Sequence, residues 1–130
     1  MNRGLFIFYC LLFFHPVFSQ TSNTSQLRAP VNDEACNATV LTVNTSCTFI
    51  TSTNVNATTS PEPDPGCGNY SGGDIWFQVV VPASGNVTVT TQPGTSLTDG
   101  AMAFYTGTCS NLTQIACDVN NAPGSGSMPE

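Results

Sequence analysis

The run from Gly72 to Thr90, GGDIWFQVVVPASGNVTVT, constrains the fold more than any other stretch. Ile75, Trp76, Phe77, Val79, Val80 and Val81 crowd a segment too short for a buried helix and bounded by turn residues, which marks a strand. Pro82 to Asn86 has the length of a hairpin loop, and Val87-Thr88-Val89-Thr90 alternates apolar and hydroxyl side chains. Setting Val81 opposite Val87 places Val79 opposite Val89. Ile75, Phe77, Val79, Val81, Val87 and Val89 then share one face, with Gln78, Thr88 and Thr90 on the other. A β-hairpin in a sheet with one buried side is expected.

The flanking sequence repeats this grammar. Val40 to Val43 reads as a strand, Asn44-Thr45-Ser46 as a turn, and Cys47 to Ser52 as the strand returning. Thr53 to Ser71, with Pro61, Pro63, Pro65, Gly66 and Gly68, is a long loop held by Cys67. Gln92 to Gly100 is a second loop, Ala101 to Tyr105 a strand, and Gly107 to Asn111 a turn into Leu112 to Asp118. Apolar residues nowhere recur at helical spacing for more than a turn. The expected fold is all-β, an antiparallel, jelly-roll-like β-sandwich over residues 31–130. With about six strands and none after the loop from Asn120 to Ser127, its C-terminal end reads as truncated.

Ahead of this module stands a different kind of segment. Asn2 and Arg3 precede an apolar run from Gly4 to Phe14, and His15 to Ser19 offers a cleavage region. That is the pattern of a secretory signal peptide over residues 1–19, cut after Ser19 or Gln20. The run is shorter than a membrane span of roughly 20 residues needs. Residues 20–30, rich in Thr, Ser, Asn and Gln, read as a flexible mature N-terminus.

Loss of the leader removes Arg3 and the single His15, leaving Arg28 as the only base against 8 carboxylates. Without Lys or Arg a surface cannot neutralise phosphates, so nucleic acid is excluded as a partner and anionic membrane is disfavoured. Ser–His and Cys–His nucleophile pairs are impossible. The remaining carboxylates could pair for glycoside hydrolysis, but they lie at turns, with nothing to raise a pKa. The mature chain is expected to be no enzyme.

Export brings the cysteines into an oxidising compartment. Cys36 with Cys47, and Cys109 with Cys117, close short local loops worth about 3 kcal/mol each. Cys67 is left over, its partner expected beyond residue 130. No His and no Cys-x-x-Cys pair remains to bind zinc.

Three blocks carry a family resemblance: NDEACNAT with LTVNTSCTF from Asn32, GCGNYSGGDIWFQVVVPASGNVTVTT from Gly66, and TDGAMAFYTGTCSNLTQIACD from Thr98. Together they resemble the pre-peptidase C-terminal type of β-sandwich found in large secreted proteins of bacteria with type IX secretion. The resemblance implies a non-catalytic module that accompanies peptidases, adhesins or a sorting domain. It also implies further strands and a late cysteine, which would partner Cys67. Where that family carries an Asp run, this chain reads Cys117-Asp118-Val119-Asn120-Asn121, so no metal site is carried over.

Two sets of residues are candidates for binding. Asp33, Glu34, Asp74, Asp99 and Asp118 lie at strand ends or turns and could offer oxygens to calcium, although Asp is also an ordinary turn former. Tyr70, Trp76 and Tyr105 could form an aromatic platform for carbohydrate or peptide, or could simply pack in the core. No other cofactor is expected. Asn23, Asn37, Asn44, Asn56, Asn69, Asn86 and Asn111 each open an Asn-x-Ser/Thr sequon, a frequent chance pattern in so Asn- and Thr-rich a chain. The expected function is a secreted or cell-surface accessory or adhesive module of a larger exported protein. Its partners would be an extracellular protein, a polysaccharide surface or sister domains. The alternative is the appended domain of a secreted peptidase whose catalytic domain lies elsewhere.

Overall fold

The structure, a computed structural model, describes residues 7–11, 28–94 and 100–119. Its five strands are β1 (Ile7–Leu11), β2 (Thr39–Leu41), β3 (Trp76–Val80), β4 (Ala101–Thr108) and β5 (Asn111–Val119). The described residues contain no α-helix and a single 3₁₀ turn, Ala35–Asn37. The strands form one sheet in the order β2-β3-β1-β4-β5. The fold is the expected all-β sandwich, with one departure from antiparallel pairing: β2 runs parallel to β3, Thr39 beside Phe77 and Leu41 beside Val79.

The start of β3 buries side chains on both of its faces. Trp76 belongs to a cluster with Ala35, Ala101, Ala103 and Tyr105, against which Tyr70, Leu112 and Cys117 pack. Ile75 and Phe77 join Met102 on the opposite face, where Leu41, Ala57, Val89 and Phe104 pack. The extended segments carrying Ala57 and Val89 therefore cover that second face, while the 3₁₀ turn and the loop around Tyr70 cover the first.

The tail of the hairpin expected at Gly72–Thr90 does not form. Its turn does, with Gly85 N–H donating to Pro82 O at 2.9 Å and Gly85 at φ 79°. Residues 86–94 form no strand, because β2 and β1 already occupy both edges of β3. Val89 still packs on the face shared by Ile75 and Phe77, so the side-chain pattern survives without the ladder. Cys47 to Ser52 is likewise no strand: Phe49 and Ile50 are about half exposed, at 49% and 55%.

The second hairpin forms and is longer than its apolar core suggested. β4 and β5 pair from Ala101–Val119 to Thr108–Asn111, leaving Cys109 and Ser110 as the loop. A bulge between Phe104 and Tyr105 shifts the register so that Ile115 is skipped. Gly107, at φ 128°, sits where a Cβ would strike Asn111 O, so the hairpin end requires glycine.

The cysteine pairing is corrected. Cys36 bonds Cys109 and Cys67 bonds Cys117, with Cα separations of 4.8 and 6.5 Å; Cys47 is free and exposed. Neither local pair forms, and Cys67 has its partner within the chain. The 3₁₀ turn seats Cys36 beside the end of β4, whereas Cys47 lies in an exposed segment. These bridges close loops of 73 and 50 residues, each worth about 4 kcal/mol in the chain-entropy picture.

β1 lies within the apolar run from Gly4 to Phe14 that the sequence reads as a leader. Ile7 to Leu11 pair antiparallel with Val80 to Trp76, and Tyr9 and Cys10 also pair with Tyr105 and Phe104 of β4. The cleavage region expected at residues 15–19, and residues 20–27 of the flexible N-terminus expected at 20–30, lie outside the described residues. No helix among the described residues is long and apolar enough to cross a membrane.

Candidate functional site

The most organised polar constellation surrounds Asp74, two residues before the fully buried Trp76 and itself fully buried. An extended chain projects alternate side chains to one face, so Asp74 points the same way as Trp76. Gly72 and Gly73, at φ 84° and 75°, turn the loop into β3; a Cβ on Gly72 would collide with Thr59 Oγ1.

Four neutral groups converge on the Asp74 carboxylate. Oδ1 accepts from Tyr70 OH at 2.7 Å and from Ser60 N–H at 3.2 Å. Oδ2 accepts from Trp76 Nε1 at 2.8 Å and from the Ser60 hydroxyl. Ser60 Oγ also lies 2.7 Å from Trp76 Nε1 and 3.1 Å from Asp33 O, so the hydroxyl accepts from the indole while giving its one hydrogen to the carboxylate. A second carboxylate repeats the device. Asp33 Oδ1 accepts from Thr58 N–H at 2.6 Å and Oδ2 from Thr58 Oγ1 at 2.7 Å. Asn32 accepts from Trp76 N–H at 2.8 Å through its carbonyl and donates Nδ2–H to Trp76 O at 3.0 Å. Residues 32–33, 58–60, 70 and 74–76 are thus one hydrogen-bonded knot under the start of β3.

The acids and phenols nearby feel this knot. Burial, followed by the charges of Asp33 and Asp74, pushes the Glu34 carboxyl above its usual range. Glu62 is pushed the same way, chiefly by burial and also by Glu34 and Asp74, against a lowering backbone hydrogen bond. Its Oε2 is buried without a hydrogen-bond partner. Tyr105 rises to about 12 through burial and the neighbouring charges of Asp74, Glu62 and Asp64. Tyr70 is raised further still by burial and by donating to Asp74. Neither phenol can act as a base near neutral pH, and each stays a donor.

Residues 31–125 match the model of a galactose-binding-domain-like family associated with type IX secretion. The chain belongs to that family. The match begins at Val31, so it contains β2 to β5 and the whole Asp74 knot but not β1. No curated protein and no solved structure matches the chain.

Within this galactose-binding-like module the predicted site residues separate into groups. Tyr70, Trp76 and Tyr105 do come together, the Trp76 and Tyr105 rings 5.4 Å apart and tilted by 51°. They form a core cluster rather than a surface platform: Trp76 and Tyr105 are 0% and 1% exposed, and Tyr70 alone reaches the surface. Asp33, Glu34 and Asp74 are neighbours, Asp118 stands on β5 opposite Met102, and Asp99 lies outside the described residues. Among the described residues no three His, Cys, Asp or Glu side chains are arranged to hold a metal ion. The oxygens of Asp33 and Asp74 accept protein donors.

Sequence reasoning missed Ser60, Thr58 and Asn32, which have no motif; only their final geometry distinguishes them from other turn residues. It also missed a polar hollow of about 340 Å³ lined by Asp64, Gly66, Cys67, Gly68, Asn69 and Tyr70. Asp64 Oδ1 accepts from Gly66 N–H at 2.8 Å, and Gly66, Gly68 and Asn69 all have positive φ, which shapes a tight rim. Cys67, bonded to Cys117, fastens that rim to β5.

Proposed function

We propose that this chain is a non-catalytic accessory module of a larger exported protein, set at the cell surface or outside the cell and making adhesive contacts with an extracellular protein or polysaccharide. The observation that carries the reading is how the Asp74 carboxylate is used. All of its described donors are neutral and internal, and they hold a loop against β3. A general acid or base needs a proton that a substrate can reach, and this carboxylate is fully buried. Membership in a type IX-associated family supports export, as does the leader pattern with cleavage after Ser19 or Gln20. The motif resemblance to pre-peptidase C-terminal-like modules supports an appended position in the parent protein. The hollow beside Tyr70, with its disulfide-fastened rim, is the contact surface favoured by its polarity and rigidity.

The test is made on the protein recovered from the medium or surface of the exporting cell. Its N-terminal mass should correspond to a chain beginning at Gln20 or Thr21. It should be retained on surface polysaccharide or matrix protein while failing to hydrolyse casein or chromogenic glycosides. Unaided turnover of either substrate class would sink the reading, and a peptidase domain in the parent would instead make this its appended domain.

A further inference from the structure

The loop that carries the hollow is fastened on two sides. Toward the β4–β5 hairpin, Gln114 Nε2–H donates to Pro65 O at 2.8 Å, and the Cys67–Cys117 bridge crosses to β5. Gly68 lies so close to β4 that a Cβ there would strike Ala101. Toward β3, Tyr70 OH donates to Asp74 at 2.7 Å. Held at Pro65, Cys67, Gly68 and Tyr70, the hollow is formed before any ligand arrives, and little ordering is left to pay on binding. Its volume of about 340 Å³ is at the small end of ligand sites, which run to roughly 300–1,000 Å³, and suits a single ring rather than a chain. The rim offers one kind of chemistry. Asp64 is exposed and gives Oδ1 to Gly66 N–H at 2.8 Å, which fixes the carboxylate, while Oδ2 accepts from none of the described residues. The hydroxyl of Tyr70 is committed to Asp74, which holds its ring in the wall beside Asp64. Beyond burial and the bond to Asp74, the charges of Asp74 and Asp64 also raise the Tyr70 phenol, so both fields reach the hollow. Past residue 19 the chain holds one base, Arg28, and no lysine, so little within it can balance these carboxylates.

We infer that the hollow binds the protonated amine of an amino sugar, with the ammonium against Asp64 Oδ2 and the pyranose ring against Tyr70. This rests on the contact surface proposed above and names the polysaccharide chemistry that surface takes. A metal ion is the wrong cation. Calcium takes about six to eight oxygens, and no three His, Cys, Asp or Glu side chains among the described residues are grouped to hold one. A guanidinium matches poorly, since its fork pairs with both oxygens of a carboxylate and Oδ1 is taken. Lysine would bring its ammonium on a long hydrocarbon stem that seeks apolar cover, whereas Gly66, Gly68 and Asn69 give the hollow a polar lining suited to hydroxyl groups. A sugar amine is a compact charge with hydroxyls beside it, and matches both features.

Amide NMR spectra of the full chain test this, with glucosamine as the probe at a pH where its amine is charged. The Gly66, Gly68 and Asn69 amides should shift saturably, with a dissociation constant of millimolar order for so small a ligand. N-acetylglucosamine, the same ring without the charge, should bind at least about tenfold more weakly, and so should glucosamine to Asp64→Asn. Asparagine keeps the Oδ1 acceptor for Gly66 N–H, so the rim holds while the charge goes. Added salt should weaken glucosamine binding in the wild type, a readout that needs no variant. Equal binding of N-acetylglucosamine, unchanged affinity in Asp64→Asn, indifference to salt, or no saturable shift would each overturn the proposal. So would tighter binding of a blocked lysine peptide, which would make the hollow a protein contact. Retention of the exported protein on polysaccharide or matrix protein is read separately. Retention without glucosamine shifts sinks this site alone, and shifts without retention sink the adhesive reading and leave the site standing.

Discussion

Replacing Asp74 should destabilise this module more than replacing any other polar residue, because one side chain serves as acceptor for four donors. In Asp74→Ala, Trp76 Nε1 can fall back on Ser60 Oγ, already 2.7 Å away, and the Ser60 hydroxyl can turn to Asp33 O at 3.1 Å. Tyr70 is half-buried and can recruit water. Ser60 N–H is then a buried donor left without its acceptor. Bonds to a charged acceptor contribute roughly 1.5–3 kcal/mol, and a stranded donor costs about 1–3 kcal/mol. Allowing the two fallbacks, and crediting removal of a buried charge that has no cationic partner in the knot, the loss should be about 3–5 kcal/mol. Asp74→Asn keeps one acceptor oxygen but turns an NH₂ toward donors on the other side, for about 1–3 kcal/mol; Tyr70→Phe should cost about 1 kcal/mol. Trp76, the single tryptophan, is fully buried and reports unfolding in urea through its fluorescence. The order Ala, then Asn, then Tyr70→Phe is the expectation, with the denaturant slope unchanged. If Asp74→Ala loses less than about 1 kcal/mol, the carboxylate is not what holds the knot, and the structural role assigned to it is wrong.

Mass spectrometry of unreduced peptides should recover Cys36–Cys109 and Cys67–Cys117 with Cys47 alkylatable, and Cys47→Ser should leave the melting temperature unchanged. Replacing Cys36 and Cys109 together by Ala should cost up to about 4 kcal/mol; an intact melting curve would mean the bridge is not formed. Glu34 and Glu62 hold protons more tightly folded than unfolded, so their contribution to stability falls as pH rises from 4.5 through their raised folded values and is regained on acidification. Urea midpoints of the wild type and of Glu34→Gln/Glu62→Gln should therefore converge as pH drops toward 4.5, with the double variant the more stable at neutral pH. The opposite ranking would show that the two acids are not repelled in the fold. Millimolar calcium should leave the melting temperature unmoved; a clear rise would return Asp33, Glu34 and Asp74 to consideration as ligands.

What the sequence revealed of this fold depends on the range over which each decision is made. β4 and β5 are joined by two residues, with Gly107 and a Thr-rich turn beside them, so their pairing is local and legible. β3 is legible as a strand but not in its neighbours. Its apolar run has two edges, and the partners that take them, β2 and β1, lie more than 30 residues away. Turn chemistry at Pro82–Gly85 predicts a reversal, which forms, but not a ladder beyond it. The cysteines fail for the same reason: loop entropy favours close neighbours, yet the bridge goes where packing brings two Cβ atoms together, and Cys36 reaches Cys109 only because the 3₁₀ turn docks on the Trp76 cluster.

The candidate site shows the limit more sharply. Asp74 stood out in the sequence as an oxygen donor at a strand end, and in the fold its carboxylate accepts from four N–H and O–H dipoles. The clue was its phase. A carboxylate two residues from a tryptophan, at the head of the most apolar strand, shares that tryptophan's face and is buried with it. Ser60 carries no such clue, because its value comes from a long proline-rich loop folding back across a sheet. The exposed Asp64 and Asn69 shape a hollow only once Cys67 has bonded Cys117. Function follows the same division. Inventory alone, one base and no imidazole after residue 19, argues against proton-transfer catalysis, whereas the hollow beside Tyr70 exists only in the folded chain.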